Sequence, residues 1–201
     1  ITPGLTYSEL SKAYWSAAES IFDSIVENHH LAKKDNQGLV SWALSTENSS
    51  KMFPAFYLYR HSVELMIKET LALANEAVKS KPPKNTHALD ELFKKLLIVT
   101  KEHCDERVYA ALNSSQAAVN RINAIDKRGT KFRYPGDNQP HESHCVLKIK
   151  EDYDEIHIAI EQAKSNFIAI LLCLSLPGMD RVWSSCLVRC HGILAQPLSR
   201  L

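Results

Sequence analysis

A polar motif inside a helical stretch is the first place where this sequence could do chemistry. The segment YLYRHSVELMIKE spaces Arg60, Glu64 and Lys68 four residues apart, so the three side chains share one face of a helix. Arg60 lies next to the apolar stripe, and a partly buried cation needs a carboxylate partner, for which Glu64 is the nearest. Two interpretations stay open: a polar cluster that lines a ligand groove, with His61 beside it, or an internal salt bridge that fixes helix register.

A second candidate is the segment RGTKFRYPGDNQP, which connects two predicted helices. Its cations could contact phosphates, and its aromatic rings could stack on bases. The alternative is a structured turn, in which Pro135-Gly136 sets the bend, the rings anchor the segment to the bundle, and Arg133 pairs with Asp137 or with an acid on a helix. The residues concerned are Arg128, Lys131, Phe132, Arg133, Tyr134 and Asp137.

The histidines and cysteines form a third group. His87 opens a helix after two prolines and is a candidate catalytic group, against the alternative of a capping or structural histidine. His29-His30 is typical of a solvated helix end. Two further groups of three residues could supply zinc ligands, but their spacings match no standard zinc signature, and we predict no metal and no cofactor. The residues of these groups are His141, His144 and Cys145, and Cys186, Cys190 and His191.

The elements that must position these residues read as helices nearly everywhere. Thr6 and Glu9 are spaced as a capping box at the start of the first helix. Residues 30–50 break the apolar pattern and read as a connection, Pro54 suits a first helical turn, and Asn85 or Thr86 is the expected cap of the third helix. Further helices are expected over 88–102, over 114–126 and from 150 to 176.

No segment alternates with period two long enough to predict a sheet. We therefore expect an all-α, antiparallel helical bundle with long first, second and last helices. The bundle would span residues 1–176, and residues 177–201 would form a tail. In the last helix the predicted inward seam is Tyr153, Ile156, Ile160, Ala163, Phe167, Ile170 and Leu174.

Bulk composition sets broad limits. The 201 residues carry a formal net charge of +1, which does not indicate a globally basic nucleic-acid binder, although a local patch is compatible with it. Five cysteines without framework spacing fit a reducing compartment. The most apolar run, 167–176, is too short to span a bilayer. We expect a cytoplasmic protein with no membrane partner.

The order of these motifs resembles HEPN-domain proteins, a class of small helical bundles. Over residues 50 to 175 the chain has the Arg-His-x-x-Glu-Leu helix, the His-x-Leu helix start and the Phe-Arg-Tyr-Pro turn of bacterial members. The resemblance implies an all-α bundle, frequent homodimers, and RNA or nucleotide as partner. Many members are metal-independent RNA-cleaving toxins or phage-defence effectors, in which a His and an Arg act on the 2′-hydroxyl and the phosphate.

The sequence departs from the catalytic pattern of that family. No Arg precedes a His by the usual four to six intervening residues, and Arg133 and His141 have seven residues between them. The first hypothesis is therefore binding of RNA or a nucleotide, with catalysis left open. The second is a non-catalytic module that dimerises or recruits a protein partner, which an exposed apolar stripe would favour. Candidate catalytic residues are His87, Arg133 and His141; candidate ligand-binding residues are Arg60, His61, Glu64, Arg128, Lys131, Arg133, Tyr134 and Asp137.

Overall fold

The computed structural model describes residues 6–35, 46–79, 86–126 and 143–175, and all regular structure in these ranges is helical. The helices are α1 (Tyr7–Asp35), α2 (Thr46–Ala77), α3 (Leu89–His103), α4 (Glu106–Ser114), α5 (Gln116–Ile125) and α6 (Ser143–Ser175). The expectation of an all-α chain with long first, second and last helices is confirmed, since α1, α2 and α6 have 29, 32 and 33 residues. The predicted bounds of the connection, 30–50, are wrong, because α1 continues past His29-His30 to Asp35 and α2 begins at Thr46. Residues 36–45 and the predicted tail lie outside the described residues.

The predicted capping box at the start of α1 is present. The Thr6 backbone N–H donates to the Glu9 carboxylate at 2.8 Å, and the Glu9 N–H donates to the Thr6 hydroxyl at 3.2 Å. These two bonds satisfy donors that the first helical turn leaves without an intrahelical partner. The cap also lowers the pKa of the Glu9 carboxyl, mainly through the backbone hydrogen bond from Thr6.

Several expected helix boundaries are wrong. Pro54 lies inside α2 rather than in its first turn, so its missing N–H is accommodated within a continuing helix. The N-cap position of α3 is Ala88, without a side-chain cap, and Thr86 instead accepts a bond from the Ala88 N–H at 3.2 Å. Helix α4 was not predicted, because Leu112 is its one fully buried side chain and gives little periodic signal.

The contacts between the long helices fix their directions. Between α1 and α2, Ser62 donates to the Ser11 carbonyl at 2.7 Å, and the rings of Trp15 and Tyr59 meet at 4.9 Å, so that these helices are antiparallel. Between α2 and α6, the Tyr153 hydroxyl donates to the Phe56 carbonyl, whereas a later residue of each helix joins in the Lys164–Glu69 ion pair at 2.8 Å. Helices α2 and α6 therefore run in the same direction, and the expected antiparallel arrangement does not hold throughout.

The core lies where α2 packs against α1, α3 and α6, and α4 and α5 close the side of α6. All predicted inward residues of the last helix from Tyr153 to Phe167 are fully buried. Ile170 is half-buried, and the expectation for Leu174 is wrong, because it is 42% exposed. The largest fully buried side chains are Tyr59, Tyr153, Phe93, Phe167, Met66, Ile67, Leu89, Leu92, Leu96, Leu112, Ile122 and Ile156.

Within the described ranges, one stretch of α6, Ile149–Ser175, is long and apolar enough to cross a membrane by length and composition. The core helix of a bundle meets the same criterion. A third of its most apolar window is buried inside the fold, and Lys164 within it is paired with Glu69. The cytoplasmic location stays a prediction.

Candidate functional site

Arg60 lies at the centre of a buried polar cluster that joins α2 to the start of α3 and the end of α5. Its side chain is 3% exposed, and its guanidinium donates three hydrogen bonds. The acceptors are the Glu64 carboxylate at 3.2 Å, the His87 carbonyl at 2.9 Å and the Asp126 carbonyl at 3.3 Å. The Asp126 carboxylate also approaches, at 3.8 Å. This environment matches the internal salt bridge interpretation, because the guanidinium is engaged by protein groups and shielded from solvent.

Glu64 connects the buried arginine to the surface. Its carboxylate is 3% exposed, and its second oxygen, Oε1, accepts from Lys68 Nζ at 2.8 Å and contacts His87 Nδ1 at 2.8 Å. Burial alone would raise the pKa of Glu64, but the hydrogen bonds and charges of Lys68 and His87 outweigh it, and the pKa is lowered overall. Glu64 is therefore a carboxylate at neutral pH.

His87 is the exposed end of this cluster. Its side chain is 69% exposed, although Nδ1 is held by the buried carboxylate of Glu64. A carboxylate beside Nδ1 favours a proton on that nitrogen, which leaves Nε2 as the nitrogen that can accept a proton from solvent or from a ligand. A carboxylate that orients an imidazole in this way is the arrangement by which a histidine acts as a general base and then as a general acid.

His61 lies one turn from Glu64 on α2 and belongs to an aromatic group. Its ring meets Tyr14 edge-on at 4.8 Å and is stacked with Tyr57 at 5.9 Å, with an interplanar angle of 7°. All three rings are half-buried at the junction of α1 and α2. We call Tyr14, Tyr57 and His61 the aromatic ledge.

Sequence reasoning thus named three residues that the fold brings together, Arg60, Glu64 and His87. It missed Asp126, whose only signal is its place as the last residue of the INAID motif. Six other candidate residues lie outside the described ranges: Arg128, Lys131, Arg133, Tyr134, Asp137 and His141.

No group of three or more His, Cys, Asp or Glu side chains that could hold a metal occurs in the described part of the chain. The residues of the zinc alternative lie outside it or have side chains that are not described. The expectation that no metal is bound stays a prediction.

A second polar cluster braces α1 against α6, away from His87. Lys150 is paired with Glu19 at 2.9 Å and with Asp154, and its ammonium lies 5.3 Å from the centre of the Tyr59 ring. His157 packs on the indole of Trp15 at 4.2 Å, and burial lowers the pKa of its imidazole. These groups pair mainly with each other across two helices, which indicates that their role is to hold α1 against α6.

Comparison with family models, with curated proteins and with solved structures finds no match to this chain.

Proposed function

We propose that this chain is a HEPN-like helical protein that binds RNA or a nucleotide at the face carrying His87, in a bacterial stress or defence setting. The observation that supports the proposal most is the exposed His87 imidazole, fixed at 2.8 Å by the buried Glu64 carboxylate. Two of the three motifs behind the family resemblance, those of Arg60 and His87, meet in this cluster. The third, around Arg133, follows Asp126, another member of the cluster, by seven residues.

The chemistry proposed for this site is metal-independent cleavage of RNA. His87 Nε2 would take the proton of a 2′-hydroxyl, whose oxygen would attack the adjacent phosphorus and form a 2′,3′-cyclic phosphate. The bond from phosphorus to the 5′-oxygen would break, the 5′-oxygen would take a proton from solvent water, and His87 would return its proton to solvent. Glu64 would stabilise the imidazolium that forms. Arg133 is proposed to contact the phosphate, as the family resemblance implies. If the chemistry has been lost, the same site binds RNA without cutting it.

The test is incubation of a mixed RNA pool with the chain in EDTA, in parallel with a binding assay. His87→Asn removes the titratable ring and keeps a hydrogen-bond donor near Glu64, and His103→Asn is the matched control, an exposed histidine at the end of α3. Loss of a general base lowers a rate by roughly 100-fold or more. We expect that loss for His87→Asn and none for His103→Asn. Arg133→Ala and His141→Ala would test the segment that follows Asp126.

The possible outcomes separate the alternatives. Binding without cleavage, weakened in Arg133→Ala, would support an RNA-binding protein that has lost its chemistry. Cleavage that survives in His87→Asn would reject His87 as the base. If the wild-type chain neither binds nor cleaves any RNA in the pool, the proposal is wrong, and the second candidate function takes its place.

That second candidate is a dimerisation module, favoured by an apolar stripe on α6. Ile158, Ile168 and Leu172 are 58%, 39% and 62% exposed, and together with the exposed Ser165 their spacing puts them on one face of the helix. Exposed aliphatic residues aligned in this way are typical of an interface. Sedimentation equilibrium of Leu172→Glu, with Ile98→Glu as a control on α3, would show whether a dimer depends on this stripe.

A further inference from the structure

Two exposed lysines are aligned along α3, the helix that begins two residues after His87. The apolar side of α3 is buried in the core, and Lys94 and Lys101 lie on its outward side. They are seven residues apart, which is close to two turns, so that one lies above the other at about 10.5 Å along the helix axis. We call Lys94 and Lys101 the lysine row.

The positive charge of the lysine row is not neutralised by the residues that the structure describes. Among these residues, neither Lys94 nor Lys101 has a carboxylate within ion-pair distance. Asp90, one turn before Lys94, has one of its carboxylate oxygens buried. The ammonium of Lys101 lies 5.7 Å from the centre of the Tyr109 ring on α4, a contact that leaves its charge in place. The row can therefore attract an anion.

The neighbouring row of charges on α3 differs in sign from residue to residue. Glu91, Lys95 and Glu102 follow one another at spacings of four and seven, so that Lys95 has a carboxylate one turn before it and another two turns after it. Glu91 also accepts a hydrogen bond from the Thr86 hydroxyl at 3.1 Å. An anion along this mixed row meets repulsion as well as attraction. The outward side of α3 thus offers one row that suits a polyanion and one that does not.

We infer that the lysine row binds the phosphate backbone of an RNA strand that extends from His87 along α3, so that the ligand is a strand rather than a single nucleotide. This inference rests on the proposed function. Lys101 lies about 18 Å along the helix axis from Leu89, the first residue of α3, a length that several successive phosphates of a strand cover. Lysine contacts to phosphate carry no sequence information, so the row would hold the strand irrespective of its bases.

The experiment measures the binding constant K of a fluorescein-labelled 12-nucleotide strand of 2′-O-methyl RNA, which lacks the 2′-hydroxyl that cleavage needs, over a series of KCl concentrations. Each phosphate neutralised on a single strand contributes about 0.7 to the slope of log K against log[KCl]. Lys94→Gln/Lys101→Gln removes both charges of the row, and Lys94→Arg/Lys101→Arg keeps them. Lys95→Gln is the matched control, because it removes one lysine from the mixed row of the same helix. Thermal unfolding of each variant shows whether the fold is retained.

We expect Lys94→Gln/Lys101→Gln to reduce the slope by about 1.4 and to weaken binding roughly 25-fold at about 0.1 M KCl. The arginine variant and Lys95→Gln should bind as the wild type does. An unchanged slope in the glutamine variant, an equal loss in Lys95→Gln, or an equal loss in the arginine variant would each overturn the inference. It is also overturned if adenosine monophosphate displaces the labelled strand as well as the unlabelled strand does.

The cleavage assay with His87→Asn keeps the two proposals distinguishable. If the wild type cleaves RNA while the glutamine variant binds the labelled strand unchanged, the lysine row is not the binding surface and the proposed function stands. If the wild type neither binds the labelled strand nor cleaves RNA, the proposed function and the inference fail together.

Discussion

Replacing Arg60 by Met tests the claim that one buried guanidinium fixes the polar cluster. The change leaves the His87 and Asp126 carbonyls without their Arg60 donors, and it weakens the environment of the Glu64 carboxylate. An unsatisfied buried polar group costs roughly 1–3 kcal/mol. The Asp126 carbonyl is buried, the His87 carbonyl is part-buried, and the Glu64 carboxylate keeps Lys68 and His87 as partners. The three losses together therefore amount to about 4 kcal/mol, of which the apolar Met side chain recovers about 1 kcal/mol. We expect a net loss of about 3 kcal/mol in the free energy of unfolding.

Urea unfolding measures this loss, provided that the free energy of unfolding falls with urea concentration at the same slope in both proteins. Arg107→Met is the control, because Arg107 is 70% exposed and pairs with Asp105 at the surface; we expect a change below about 0.5 kcal/mol. Arg60→Lys should restore only part of the stability, since one ammonium cannot reach three acceptors in the fork geometry of a guanidinium. A loss below about 1 kcal/mol for Arg60→Met at constant slope would refute the reasoning.

Three further predictions concern stability. Arg121→Ala removes two hydrogen bonds, of 2.8 and 2.7 Å, from the buried Asp152 carboxylate, and should lower the free energy of unfolding by about 2 kcal/mol; recovery of full stability by Arg121→Lys would contradict a bidentate role. Phe167→Ala leaves a cavity at a completely buried position and should lower the free energy of unfolding by about 3–5 kcal/mol. Ile158→Ala, at an exposed position of the same helix, should lower it by less than about 0.5 kcal/mol. Similar losses for the two variants in urea unfolding would show that the buried face of α6 is wrongly assigned. The pKa of Glu64 in the folded protein is lowered from its ordinary value of 4.5, so its charge stabilises the fold above that value, and this contribution is lost as the pH falls through the folded pKa. Glu64→Gln should therefore lose less stability than the wild type when the pH is lowered from neutral to that acid range. Parallel curves of stability against pH for the two proteins would contradict this assignment.

The residues of the site were partly predictable because helical spacing is a local property. Arg60, Glu64 and Lys68 are four residues apart, so their pairing follows from the geometry of a single helix. The contact of Glu64 with His87 spans 23 residues, and that of Arg60 with Asp126 spans 66. Contacts of this length depend on how α3 and α5 pack against α2, which periodicity does not report.

Some helix boundaries likewise follow from neighbouring residues, whereas others depend on tertiary packing. The capping box of Thr6 and Glu9 was predicted correctly because it is formed within four consecutive residues. Pro54 was misplaced and α4 was missed because tertiary packing outweighs local propensity. Helix α2 continues through Pro54, which is exposed, and α4 forms although Leu112 is its one buried residue.

The sequence by itself determined that the described residues are helical, that the first, second and last helices are long, and which apolar residues of α6 up to Phe167 are buried. Each of these follows from the 3.6-residue period, which can be recognised from the spacing of apolar residues along the sequence. Only the tertiary structure decided that α2 and α6 run in the same direction, that Arg60 is enclosed by two carbonyls from other elements, and that His87 is exposed while Glu64 beside it is buried. Direction and burial depend on how the helices pack in space, and distant segments contribute to that packing as much as local ones.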